Sequence, residues 1–425
     1  MGNMTDYQTM ENGVSMGILP KRDAVIVRGR GTRVWDAAGK EYIDCIGGIG
    51  TANIGHSHPA VAEAVTRQVN RLTICPDSFY NDVRAELGAA LVEAAPAGLD
   101  RLFLCNSGTE AVEAALKFAR VVTGRPGVIA AQRGFHGRTF GALSATWNPK
   151  YRAPFEPLVP GFSHVRYNDL AAMEEAIGEE TGAVILEVVQ GEGGVRVADG
   201  GYLKRVETLC RERGALFIVD EVQTGFGRTG AMFACEHHGI RPDILCLAKA
   251  MAGGLPVGAA LCGESVQGVP SMSHGNTFGG SPVICAAGLA TLRVLDEEGL
   301  VENAREAGGY FREGLEALDH PAVREIRGMG LIIGVELKSR VTPVLRGLME
   351  RGILALPAGN TVLRFLPPLS INRAEIDQVV AATRESLDSL GENPSSGRSG
   401  PGRGEGNSPD RRRAGRGRTP TLEGK

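Results

Sequence analysis

Short apolar runs recur along the chain at residues 102–105, 128–131, 183–189, 216–219, 244–247 and 257–261, each bounded by polar or Gly-containing stretches. Runs that are continuous rather than alternating suit strands covered on both faces, so a mostly parallel sheet is predicted. An Ala- and Leu-rich helix over residues 110–122 follows the first run, and the alternation describes an α/β core over residues 60–290. Residues 21–48 differ: three short segments separated by Gly-containing turns predict antiparallel pairing. Residues 295–390 mix helical patterns with short strands such as 331–336. The predicted layout is a large domain over 61–294 and a smaller α+β domain assembled from 1–60 and 295–390. A Gly-, Pro-, Ser- and Arg-rich tail over 391–425 holds almost no apolar residues and cannot offset its ordering entropy, so it is expected to be disordered. It reads as a solvated extension, or as a weak contact for an acidic partner through Arg411, Arg412 and Arg413.

With 425 residues, 43% hydrophobic, the chain can bury a large core. A net charge of -3 gives no case for nucleic-acid binding. Eight scattered cysteines without a CxxC pair fit reduced thiols rather than a disulfide scaffold or zinc site. No signal peptide is visible and no apolar run reaches the roughly 18 residues needed to span a bilayer, so a soluble cytoplasmic protein is expected.

Candidate chemistry centres on Lys249, which closes the apolar run 244–247. A buried ammonium is costly, so such a lysine either reaches back to water or is used. A desolvated lysine has a lowered pKa and condenses with aldehydes to a Schiff base. Asp220, ending the neighbouring run, is the partner a pyridinium nitrogen requires, and together they suggest pyridoxal phosphate. Asn106-Ser107-Gly108-Thr109-Glu110 lies between strand and helix, where free N–H groups and the helix dipole favour an anion; an ordinary N-cap would look the same. In Gly134-Phe135-His136-Gly137-Arg138, an aromatic could stack on a flat cofactor and an arginine could clamp a carboxylate, or the aromatic could simply pack on its own domain. Gly225-Phe226-Gly227-Arg228-Thr229-Gly230 matches a dinucleotide fingerprint, but residues 220–224 separate it from the strand it should follow directly.

Taken together, residues 106–110, 135–139 and 220–230, Lys249 and residues 277–280 resemble the class III aminotransferases, and the resemblance spans residues 20–390. Residues 55–59, 190–194 and 364–369 resemble the acetylornithine branch; residues 35–36, 42–48 and 147–152 favour enzymes of lysine and arginine synthesis whose substrate rides on an amino-group carrier protein. The resemblance implies a fold-type-I, pyridoxal-phosphate-dependent homodimer. It implies that Lys249 carries the cofactor and moves the proton, and that Asp220 pairs with the ring nitrogen. Gln223 would meet the phenolic oxygen, and Val222 and Phe135 the two ring faces. Gly108 and Thr109 would hold the phosphate, with Thr277 reaching it from the neighbouring subunit. Arg138 would hold a substrate carboxylate, and Glu192 and Arg364 would form a gating pair. Asn276 stands where the branch usually has Ser or Thr, which puts its substrate contact in doubt; Ile49 stands where ornithine enzymes carry an aromatic. The implied reaction moves a terminal amino group between carrier-linked lysine or ornithine and 2-oxoglutarate or glutamate. N-acetylornithine and other ω-amino acids are the alternative substrates.

Overall fold

The computed structural model describes residues 6–390. The tail expected to be disordered, 391–425, lies outside the described residues. At the centre stands a seven-stranded sheet built from β1 (Leu99–Cys105), β2 (Gly127–Ala131), β3 (Phe162–Val165), β4 (Thr181–Glu187), β5 (Leu216–Asp220), β6 (Ile244–Leu247) and β7 (Gly258–Gly263). Its order is β1-β7-β6-β5-β4-β2-β3. Strands β4, β5 and β6 are buried throughout, which is why they read as unbroken apolar runs.

One strand departs from the parallel arrangement: β7 runs antiparallel to both β6 and β1. The connection 248–257 is shorter than the roughly one dozen residues that a parallel crossover needs. That short return holds Lys249 at the carboxyl edge of the sheet, where β1, β2, β4 and β5 also end.

The main helix of this region, α1 (Gly108–Thr123), is capped by the Ser107 hydroxyl accepting from Glu110 N and ends at Gly124 in the left-handed conformation, φ 66°. Ala111, Ala114, Ala115, Phe118 and Ala119 bury one face against the sheet.

Two four-stranded sheets flank this core. Ile26–Arg30, Arg33–Asp36 and Glu41–Asp44 pair antiparallel, and Ile353–Leu354 adds parallel to the last of them, so the two ends of the chain share a sheet. The second sheet, antiparallel throughout, contains Val323–Met329, Ile332–Leu337, Val362–Phe365 and Leu356–Ala358.

The glycine-rich loop 225–230 joins these parts. Gly227 and Gly230 both have φ 86°, and a side chain on Gly230 would sit 2.9 Å from Arg305 in the helix Leu300–Glu316. The glycines let the loop lie flat against that helix. Between them Arg228 is fully buried, donating to the Leu331 and Pro367 carbonyls and to Asn53 Oδ1. Burial pulls its guanidinium down to about 9. The motif that resembled a dinucleotide fingerprint is thus a packing device. Among the described residues no helix is long and apolar enough to cross a membrane.

Candidate active site

A cavity of about 450 Å³ opens at the carboxyl edge of the sheet, where ligands of open α/β folds gather. Its lining brings together Gly108, Thr109, Phe135, Arg138, Glu192, Asp220, Val222, Gln223 and Lys249 from five separate connections. Arg364 stands behind it, 2% exposed, donating to Glu192 Oε1 at 2.6 Å and to Gln223 Oε1 at 3.1 Å. Because a guanidinium only donates, Gln223 must turn its carbonyl oxygen to Arg364, which leaves its Nε2 protons for another acceptor.

Lys249 has a left-handed backbone, φ 43°, a conformation that costs a non-glycine residue about 1–3 kcal/mol and persists where surrounding packing dictates it. Ala250, Met251 and Ala252, all buried, supply that packing. Burial lowers the Lys249 pKa and the Arg364 charge adds to the shift, against the opposing pull of Glu192 and Asp220. An amine so placed gives up its proton more readily than a surface lysine.

Asp220 ends β5 with Oδ1 accepting from Val222 N at 3.0 Å and Oδ2 2.8 Å from His136 Nδ1. Burial alone would depress the His136 pKa, but the hydrogen bond and charge of Asp220 outweigh it and the net shift is upward. Glu187, ending β4, accepts from Phe135 N at 2.9 Å. Its carboxyl is pushed up to about 7, by burial first and then by Asp220, while His136 opposes. His136 and Glu187 therefore belong to the site, although the sequence motifs gave neither a role. The signal available was slight: a histidine beside a candidate stacking aromatic, and one acid inside an apolar run.

Close approach explains Gly108. A side chain there would meet Val222 Cγ1 at 2.6 Å and close the space between the α1 N-terminus and the floor of the cavity. Thr109 Oγ1 lies 2.8 Å from Thr139 Oγ1, which donates to Glu113 at 2.6 Å. Arg138 is exposed and stacks over Tyr151, 3.8 Å from the ring centre.

Two candidate residues lie elsewhere. Thr277 and Asn276 are exposed and line no part of this cavity. Asn276 donates to the Leu104 carbonyl at 2.9 Å and accepts from Gly279 N, so both ends of its amide are engaged within its own chain.

The chain belongs to the class-III aminotransferase family, whose model matches residues 19–387. Among curated relatives, it is 49% identical over 392 residues to a [LysW]-aminoadipate semialdehyde transaminase of Deinococcus radiodurans, covering 91% of each chain. It is 48% identical to an acetylornithine aminotransferase of Methanopyrus kandleri, covering 91% of this chain and all of the relative, 100%. Among solved structures, ornithine aminotransferase from Toxoplasma gondii superposes with a TM-score of 0.87 at 36% identity, covering 91% of this chain and 95% of that one. The fold-type-I α/β architecture expected from the sequence and the transaminase activity both follow from this membership.

Proposed function

We propose that this aminotransferase uses pyridoxal phosphate to move the terminal amino group of an N-blocked diamino acid, lysine or ornithine held by an acidic carrier protein, onto 2-oxoglutarate. The observation that carries the proposal is the Arg364–Glu192–Gln223 cluster beside Lys249, with its 2.6 Å ion pair. An arginine that is neutralised in place suits an amine with no carboxylate near its reacting end. Swinging Glu192 away exposes the same arginine to glutamate. One cavity can then serve two unlike substrates.

The cavity suits the cofactor. The α1 N-terminus with Gly108 and Thr109 offers free N–H groups and a hydroxyl to a phosphate. Val222 and Phe135 offer two faces to a ring, and Lys249 an amine to hold its aldehyde carbon. Bound there, the cofactor supplies a ring that accepts the electrons left on the substrate's amino-bearing carbon. Asp220, steadied by His136, would keep a proton on the ring nitrogen; a fixed charge of this kind contributes about 3 kcal/mol to a transition state. Gln223 Nε2 would donate to the phenolic oxygen. Lys249, its pKa lowered by burial, would carry the proton to and from the reacting carbon. Arg138 would clamp a substrate carboxylate.

Thr277, exposed beside Phe278 and lining no part of its own cavity, supports a homodimer in which it reaches the neighbouring site. The parallel pairing of Ile353 with Ile43 supports a small domain drawn from residues 1–60 and 295–390, with the large domain at 61–294 between them. For the carrier-linked substrate, the support is the identity to the Deinococcus enzyme and Ile49, 48% exposed, in place of an aromatic. N-acetylornithine is the second reading, favoured by the Methanopyrus relative.

The test is a side-by-side turnover assay with 2-oxoglutarate as acceptor. Carrier-linked lysine and ornithine are expected to exceed N-acetylornithine in kcat/KM by at least about two orders of magnitude, some 3 kcal/mol. A preference for N-acetylornithine would overturn the choice of substrate.

A further inference from the structure

A second recess of about 270 Å³ adjoins the reaction cavity and shares Phe135 and Glu192 with it. Arg133 and Arg196 line this recess together with Trp147, Tyr151, Asn360 and Glu336. Its acids are already engaged. Glu192 pairs with Arg364 at 2.6 Å, while Glu336 pairs with Arg327 at 2.7 Å and Arg324 at 3.1 Å. Arg196 reaches Glu336 only at 3.5 Å, and its Nε is buried without a partner among the described residues. Arg133 is exposed, and its side chain has no ion-pair partner among the described residues.

The placement of Arg133 is enforced. Its backbone is left-handed, φ 69°, and Gly193 lies so close that a side chain there would meet the Arg133 carbonyl at 2.6 Å. The loop carrying Glu192 is thereby packed against the residue that presents the Arg133 guanidinium. Burial first, and then the neighbouring charges of Arg133 and Arg327, hold Arg196 below its ordinary pKa, against the opposing pull of Glu336 and Glu325.

We propose that this recess is an anion-recognition surface at the mouth of the active site, where Arg133 and Arg196 dock the acidic polypeptide that bears the blocked end of the amine substrate. Trp147 and Tyr151 give such a chain flat walls, and the shared Phe135 and Glu192 place its tip at the cavity holding Lys249. This rests on the carrier-linked reading of the function, and it assigns that carrier a site. Docking of this kind acts mainly on encounter and is weakened by salt.

The experiment uses the holoenzyme and a synthetic glutamate-rich peptide as inhibitor of whichever amine substrate the wild type turns over. Competitive inhibition is expected, weakening as ionic strength rises. In Arg133→Gln/Arg196→Gln the inhibition constant should rise at least about tenfold and lose most of its salt dependence. The same variant should keep kcat, and its KM for glutamate should stay within about threefold, or about 0.6 kcal/mol. Equal inhibition of wild type and variant, or none of either, would overturn the proposal. A matching rise in the KM for glutamate would also overturn it, since the recess would then serve small dicarboxylates. Failure of the carrier-linked reading shows separately, as absent turnover of carrier-linked lysine by the wild type.

Discussion

Replacing Glu192 with alanine isolates the work of the proposed arginine switch. In the wild type the Arg364 guanidinium is 2% exposed and held by Glu192 at 2.6 Å and Gln223 at 3.1 Å. Without Glu192 only a neutral amide remains, and water entering the cavity takes the place of the carboxylate. When the N-blocked amine binds, that water is displaced and the guanidinium is left underpaired. A hydrogen bond to a charged group contributes about 1.5–3 kcal/mol, so kcat/KM for the amine half-reaction should fall about 10- to 100-fold. In the proposed switch glutamate would bring a carboxylate of its own to Arg364, so its half-reaction should stay within about threefold of wild type, roughly 0.6 kcal/mol. Rapid-mixing single turnovers, each half-reaction started from the matching cofactor form and followed by absorbance, read the two numbers separately. Equal losses in both halves would refute the switch and leave Glu192 a general structural residue.

Lys249→Ala should abolish transamination and the yellow colour of the lysine-held cofactor, measured by turnover and visible absorbance; retained transamination would defeat the assignment. Gly108→Ala should weaken cofactor retention at least about tenfold, some 1.4 kcal/mol, because its methyl meets Val222 Cγ1 at 2.6 Å. Gly108→Ala combined with Val222→Ala should recover part of that loss in a cofactor-titration assay. Glu187→Gln removes a buried acid whose folded pKa is raised to about 7 from 4.5. The folded wild type binds the extra proton between those values, so its stability falls as pH rises through that window. Thermal melts should therefore show the variant gaining on wild type from pH 4.5 to 7, with the difference constant above.

The sheet was legible because strands covered on both faces admit no polar interruption, as β5 and β6 show. The direction of β7 was not, since an antiparallel strand buried on both faces carries the same apolar run as a parallel one. Residues of the site that sit in glycine-bounded motifs, such as Gly108 and Phe135, could be singled out because those motifs depart from the surrounding pattern. His136 and Glu187 act on Asp220 through space, from positions 84 and 33 residues away, and no local spacing encodes that meeting. The engagement of Asn276 with Leu104, across 172 residues, is likewise a property of the assembled chain. The same holds for Arg228: its loop carries a familiar glycine spacing, yet its partners arrive from both ends of the sequence.

Those partners set an order of assembly. Every residue proposed to touch the cofactor from within its own subunit has been synthesised once β7 is made, but the Leu331 and Pro367 carbonyls that receive the Arg228 guanidinium come much later. Until they arrive, Asn53 is the one partner of the three already made for the guanidinium beside the segment bearing Asp220 and Gln223, and breaking the pairing of a buried charge costs about 3–5 kcal/mol. A chain truncated before residue 331 would thus carry most of the active-site residues while lacking two of the three acceptors that anchor the loop beside them.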